Sequence, residues 1–209
     1  MDLSLQALVD RQRVPAARLE GWLRAAARGG VTGVQLREKA GPTRESYVYG
    51  QAVARLAHEL GLWLSVDDRV DLALALDADL VHLGPDDLPP VAARRIAPSL
   101  GLGLSARNLE ELAWAQSFRP LYVGYGPVWP TTSKADAAPA VGLAELAEAV
   151  RRCHCPIIAI GGIGPKNAAR TWATGVAGLA VIAALTEVDD PEEAARGLLR
   201  GRPELHSTR

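Results

Sequence analysis

The sequence predicts a (β/α)8 barrel, an α/β fold built as a single domain over 1–209. Three observations carry this. Eight short apolar runs, rich in Val, Ile and Leu, alternate with helical patterns along the chain. Strand–helix alternation repeated this often calls for parallel strands joined by right-handed crossovers. No linker or low-complexity segment divides the 209 residues, and 48% of them are hydrophobic, enough for one sizeable core. Eight units in about 200 residues lies at the compact end of the barrel range. A doubly wound open sheet is the rival, but it usually has fewer units.

Each element has its own justification. The first strand is expected at 5–9, and a helix follows over 16–28, with Leu19, Leu23 and Ala26 on one face and Gly29-Gly30 as its stop. The second strand, at 32–36, leads to a helix over 44–60 that ends at Gly61. Strands at 62–66 and 80–83 are followed by short helices over 70–76 and 91–96. The last four units pair strands at 101–104, 122–124, 156–160 and 179–182 with helices over 109–116, 143–152, 165–173 and 191–199. The tail over 201–209 is polar and expected to fray.

Charge excludes several function classes. With 23 Lys+Arg against 24 Asp+Glu the net charge is −1, so neither nucleic acid nor a membrane surface is an expected partner. No 18-residue apolar run marks a membrane span. Met1-Asp2-Leu3-Ser4 lacks the basic start and apolar core of a signal peptide, which makes the cytoplasm the expected location. The sequence leaves a homo-oligomer open. The two cysteines, Cys153 and Cys155, flank His154. Three ligands so close together rarely fit one tetrahedral ion, so this triplet reads as a helix end leading into the seventh strand.

In such a barrel, chemistry sits at the carboxyl ends of the strands. The second strand delivers Gln35, Arg37 and Lys39 to one face by alternation, a row that runs from a packed core into an anion site. The third ends in Asp67-Asp68 and the fourth in His82 followed by Asp87. Each aspartate alone reads more readily as a helix N-cap, but carboxylates of Asp68 and Asp87 paired on adjacent strands, completed by phosphate oxygens and water, describe a Mg2+ site. Ser105 closes the fifth strand, and the sixth runs into a loop carrying Trp129, Thr131, Ser133 and Lys134. Gly161-Gly162 after the seventh strand, with the end of the eighth near Ile182-Ala183, match the usual phosphate seat of this fold. Arg37, Lys39 and Lys134 with Mg2+ suggest a diphosphate that leaves as a unit. A separate phosphate seat suggests a second phosphorylated substrate. His82 reads at least as well as a core histidine. Trp22, Trp63, Trp114 and Trp172 read as packing, whereas Trp129 is placed to wall a pocket.

These residues resemble a known family. The runs Val34-Gln35-Leu36-Arg37-Glu38-Lys39, Asp68-Arg69-Val70-Asp71-Leu72-Ala73, His82-Leu83-Gly84 with Asp87-Leu88-Pro89, Gly126-Pro127-Val128 with Thr131 and Lys134, and Ala159-Ile160-Gly161-Gly162-Ile163 are similar to those of the thiamine phosphate synthase/thiazole tautomerase superfamily. The matches are collinear over nearly the whole chain. The resemblance implies a barrel that joins hydroxymethylpyrimidine diphosphate to a carboxylated thiazole phosphate. It also implies the family's dissociative pathway, in which diphosphate departs first and the thiazole nitrogen captures the pyrimidine carbocation left behind. It implies diphosphate held by Arg37, Lys39 and Lys134, Mg2+ by Asp68 and Asp87, the pyrimidine by Gln35, and Ser105 near the leaving group. Thr131, Ser133 and the backbone of Gly162, Ile182 and Ala183 would hold the thiazole phosphate.

The chain departs from the family pattern in a few places. Asp67, in the substrate-binding row, stands where Asn is usual, adding a negative charge beside the diphosphate. Arg107 replaces a common His, Ala183 a Ser, and Thr132-Ser133 a common Pro-Thr. Two other functions stay open. A thiazole tautomerase needs a proton shuttle, commonly a His in the loop after the sixth strand, where this chain has none. A non-catalytic thiazole-phosphate sensor would bind and make no product.

Overall fold

A computed structural model describes residues 1–131 and 139–203. The eight expected strands form at β1 (Leu5–Val9), β2 (Gly33–Leu36), β3 (Trp63–Asp67), β4 (Leu80–Leu83), β5 (Gly101–Ala106), β6 (Tyr122–Tyr125), β7 (Ile157–Ile160) and β8 (Gly178–Val181). Each is parallel to the next, and β8 pairs back to β1, closing the barrel. Closure leaves no sheet edge to protect.

The helices form the outer ring: α1 (Ala16–Arg28), α2 (Thr43–Leu60), α3 (Val70–Ala75), α4 (Pro90–Ile96), α5 (Leu109–Ser117), α6 (Gly142–Arg152), α7 (Ala168–Trp172), α8 (Ala183–Thr186) and α9 (Pro191–Leu199). Their apolar stripes pack on the outward faces of the strands, so the larger core lies between barrel and helices. Two differences from expectation stand out. Residues 165–167 form turns, so α7 starts later than the expected helix. The short α8 was not expected, because four residues carry no readable period. None of the described helices is long and apolar enough to cross a membrane.

Strand alternation sorts the other faces into the barrel lumen. A second, smaller cluster there contains Leu8, Trp63, Leu80, Tyr122, Ile158, Ala180 and Ile182. Large and small residues complement each other. Gly33 makes room for the Trp63 ring, since a Cβ there would lie 2.0 Å from it. Gly103 does the same for Tyr122 and His82, at 2.7 and 2.9 Å. The lumen is thus packed, and the polar residues at its upper end stand on a rigid floor. At the tail, Arg202 N–H donates to the Leu199 carbonyl and its guanidinium lies 3.7 Å from Asp2. Residues 204–209 of the expected tail lie outside the described residues.

Candidate active site

A cavity of about 990 Å3 opens at the carboxyl ends of the strands. Arg37, Lys39, Asp67, Asp68, Asp87 and Ser105 line one side of it, and Thr131, Gly162, Ile182 and Ala183 line the other. One mouth therefore collects nearly all the expected site residues. Lys134 and Ser133 lie outside the described residues. Gln35 does not reach the wall: it is buried in the lumen, below Arg37.

The charged side is built by β2, β3 and β4. Just past β2, alternation carries Arg37 and Lys39 toward the mouth and turns Glu38 away, where it accepts from Arg11 N–H at 2.7 Å and pairs with its guanidinium at 3.1 Å. Arg37 Nε lies 3.4 Å from Asp67 Oδ2, and Lys39 Nζ lies 3.3 Å from the same oxygen. Lys39 also donates to Asp68. One ammonium thus bridges consecutive carboxylates. Burial disfavours the charge on Lys39, but Asp67 and Asp68 outweigh it and raise its pKa.

Asp68 adopts φ 61°, the left-handed region that Asp tolerates better than most residues, and its N–H donates to the His82 carbonyl at 2.9 Å. Asp87 is fixed differently: its Oδ2 accepts from Gly84 N–H at 2.6 Å. Neither caps a helix, since the caps of α3 and α4 are Arg69 and Pro89. The carboxyls of Asp68 and Asp87 are close enough to influence each other's protonation. Burial and the neighbouring Asp68 push Asp87 up to about 6. Burial also opposes charge on Asp68, but the Lys39 ammonium holds its carboxyl below the usual range. Facing carboxyls that compete for a proton, with one backbone N–H as anchor, fit a divalent cation whose remaining ligands are substrate oxygens and water. Among the described residues no cluster of three or more His, Cys, Asp or Glu could hold a metal by itself, the Cys-His-Cys triplet included.

Ser105 is held from beneath. His82 Nε2 lies 2.8 Å from its Oγ, and His82 Nδ1 lies 3.0 Å from the Tyr122 hydroxyl. The imidazole stacks on the Tyr122 ring at 5.5 Å. Burial drives the Tyr122 pKa upward, so the phenol keeps its proton. His82 is therefore both a lumen residue and a functional neighbour. Sequence reading missed this link, because the contact depends on Gly103 and on three strands meeting.

The opposite side is a backbone surface. Gly161 and Gly162 adopt φ 95° and 65°, and a Cβ at Gly162 would lie 2.5 Å from the Pro130 carbonyl oxygen. The loop after β6 clips onto this turn through Val128 N–H to Ile160 O at 2.9 Å and Trp129 N–H to Gly161 O at 3.0 Å. Asn167 closes the turn, accepting from Gly164 N–H at 2.8 Å and donating to Gly162 O at 2.9 Å. Lys166 lines the cavity beside it. A Lys just before a helix start opposes the helix dipole, and that was the available sequence signal for it. Trp129 corrects an expectation. It is not among the lining residues; its indole donates to Thr171 at 3.2 Å and Arg170 lies over its ring at 5.0 Å. It pins the loop to α7 because its N–H finds an acceptor there. Arg107 lies at the rim, between Glu111 at 2.9 Å and Asp86 at 3.6 Å.

Comparison with known proteins agrees with this geometry. A family model described as thiamine monophosphate synthase matches residues 5–185. The chain is 46% identical over 200 residues to a thiamine-phosphate synthase of Desulfitobacterium hafniense (strain Y51), covering 95% of this chain and 97% of the relative. It is 45% identical over 174 residues to one of Archaeoglobus fulgidus, covering 83% and 82%. Among solved structures, thiamine phosphate pyrophosphorylase from Pyrococcus furiosus superposes with a TM-score of 0.87 at 40% identity, covering 95% of each chain.

Proposed function

The chain belongs to the thiamine monophosphate synthase family, and from that premise we propose that it joins hydroxymethylpyrimidine diphosphate to a thiazole phosphate, releasing diphosphate. The observation that carries this reading is the division of one cavity into a cationic, carboxylate-bearing side on β2–β4 and an amide-rich side on β7–β8. Two anionic groups can be held apart there with the reacting carbon between them.

Arg37 and Lys39, already poised by Asp67, bind the diphosphate together with Lys134, whereas Ser133 goes with the thiazole phosphate; Lys134 and Ser133 lie outside the described residues. Asp68 and Asp87 would hold Mg2+, which when bound would supply positive charge to offset the negative charge that develops on the leaving group. The bond from the pyrimidine methylene carbon to the diphosphate oxygen breaks, and its electron pair leaves with the diphosphate. The thiazole nitrogen then donates its own pair to that carbon, and no proton is taken from carbon. Ser105, oriented by His82, donates toward the leaving group. Thr131 and the backbone N–H groups of Gly162, Ile182 and Ala183 hold the thiazole phosphate. Gln35 supports the pyrimidine pocket from the lumen.

The test is a product assay with both substrates and Mg2+. Thiamine phosphate is expected, and Lys134→Ala and Asp87→Ala are each expected to abolish it. Turnover that survives both changes refutes the assigned roles. Binding of thiazole phosphate without any product identifies a sensor instead.

A further inference from the structure

The Cys153-His154-Cys155 triplet takes no part in the cavity chemistry. It lies where α6 turns into β7, at the amino end of the strand and so at the opposite end of the barrel from the mouth. The turn is pinned on both sides: Cys153 N–H donates to the Ala149 carbonyl at 2.9 Å, and His154 N–H donates to Gln116 Oε1 at 3.2 Å. The two sulfurs face each other at 3.2 Å, and both cysteines are free and half-buried. Among the described residues no third metal-ligating group joins them. Sulfur–sulfur chemistry is what this geometry leaves, and bonding distance is about 1 Å closer than the present contact.

We propose that Cys153 and Cys155 are a thiol–disulfide exchange site that closes to a reversible intramolecular disulfide with a small-molecule disulfide such as oxidised glutathione. Cys153 is the attacking sulfur. The neighbouring Cys155 thiol hydrogen-bonds it and, against the cost of burial, lowers its pKa to about 6, whereas Cys155 is shifted upward and keeps its proton. The Cys153 thiolate attacks one sulfur of oxidised glutathione and expels a glutathione thiolate. Cys155 passes its proton to that thiolate, attacks the Cys153 sulfur and expels the second glutathione. Two protein thiols are oxidised and one glutathione disulfide is reduced to two thiols. The closed loop spans a single intervening residue, so little chain entropy favours the bond and it is easily reduced again.

These are the only two cysteines in the sequence, so thiol counting is unambiguous. The full-length protein is equilibrated without denaturant in glutathione buffers of graded ratio, then alkylated and weighed intact. The expected result is loss of both alkylatable thiols in a product lighter by two hydrogens, free of glutathione and restored by dithiothreitol. Cys155→Ser is expected to trap glutathione on Cys153, and Cys153→Ser to react far more slowly. Retention of both thiols at the most oxidising ratio, or glutathione stably bound to both sulfurs of the unsubstituted protein, overturns the proposal.

Discussion

Asp67→Asn distinguishes a carboxylate that balances the cation pair from one that contacts substrate. Asp67 Oδ2 serves Arg37 at 3.4 Å and Lys39 at 3.3 Å, and only 10% of its side chain is exposed. A diphosphate gripped by those cations sits one ion-pair length further on, so its charge lies about 7 Å from the carboxylate. At an effective dielectric between about 20 and 80, each phosphate charge at that distance is repelled by about 0.6–2.4 kcal/mol. Removing the carboxylate should therefore tighten inorganic pyrophosphate binding by roughly 3- to 50-fold in metal-free, low-salt buffer, read by titration calorimetry. The same change strips two ion pairs from the protein. It should cost about 1–2 kcal/mol, or roughly 2–8 °C in melting temperature for a domain of this size. Tighter anion binding with a lower melting point is the signature of a counter-ion. Unchanged or weaker pyrophosphate binding refutes the reasoning, since a residue that contacts substrate or metal gives that result.

Other outcomes follow from the same geometry. Asp87 has a folded-state value of about 6, above its ordinary one, so the native chain holds that proton more tightly than the unfolded chain. Its ionisation costs stability as pH rises through about 4 to 6, and the cost is complete above that window. Asp87→Asn keeps an acceptor for Gly84 N–H, so metal-free melts should rank it above the unsubstituted protein at pH 7.5 by up to about 1 kcal/mol after solvent screening. The gap should close by pH 4.5, and an equal gap at both pH values sinks the assignment. His82→Phe removes the hydrogen bond that orients Ser105; kcat should fall roughly 5- to 30-fold, for about 1–2 kcal/mol, with KM little changed. A fall confined to KM would contradict a positioning role. Gly162→Ala puts a Cβ 2.5 Å from the Pro130 carbonyl at φ 65°, so it should destabilise the fold by about 1–3 kcal/mol and weaken inorganic phosphate binding. Full stability and unchanged phosphate affinity would remove the glycine turn from the site.

The barrel was legible because its signal is local and repeated. Each strand is a short apolar run, and each helix carries its own stripe and stop; Gly61, for instance, caps α2 with φ 67°. The charged wall was legible for a related reason. Alternation along one strand fixes the common face of Arg37 and Lys39, and fold-level geometry brings Asp68 and Asp87 to the same rim. What stayed hidden needed distances between strands. Trp129 sat in a loop beside prolines, where sequence gives exposure but no acceptor, and the acceptor is Thr171 on α7. Asp67 reads from sequence as a negative charge set against the diphosphate, but that Arg37 and Lys39 both pair with it depends on distances between strands.

The lumen shows what makes the floor of the site rigid. Gln6 Nε2 donates to the Tyr122 hydroxyl at 3.4 Å, that hydroxyl meets His82 Nδ1 at 3.0 Å, and His82 Nε2 meets Ser105 at 2.8 Å. This chain crosses from β1 through β6 and β4 to β5, and its inner members are buried. Each polar atom in it would cost a desolvation penalty if its partner moved, so the strands hold one another in register through the hydrogen bonds that aim Ser105. Catalytic orientation and barrel stability are in this respect one constraint. A substitution that loosens the Tyr122 hydroxyl, such as Tyr122→Phe, should therefore lower the melting point and kcat together, while the exposed Arg69→Ala on α3's cap should change neither.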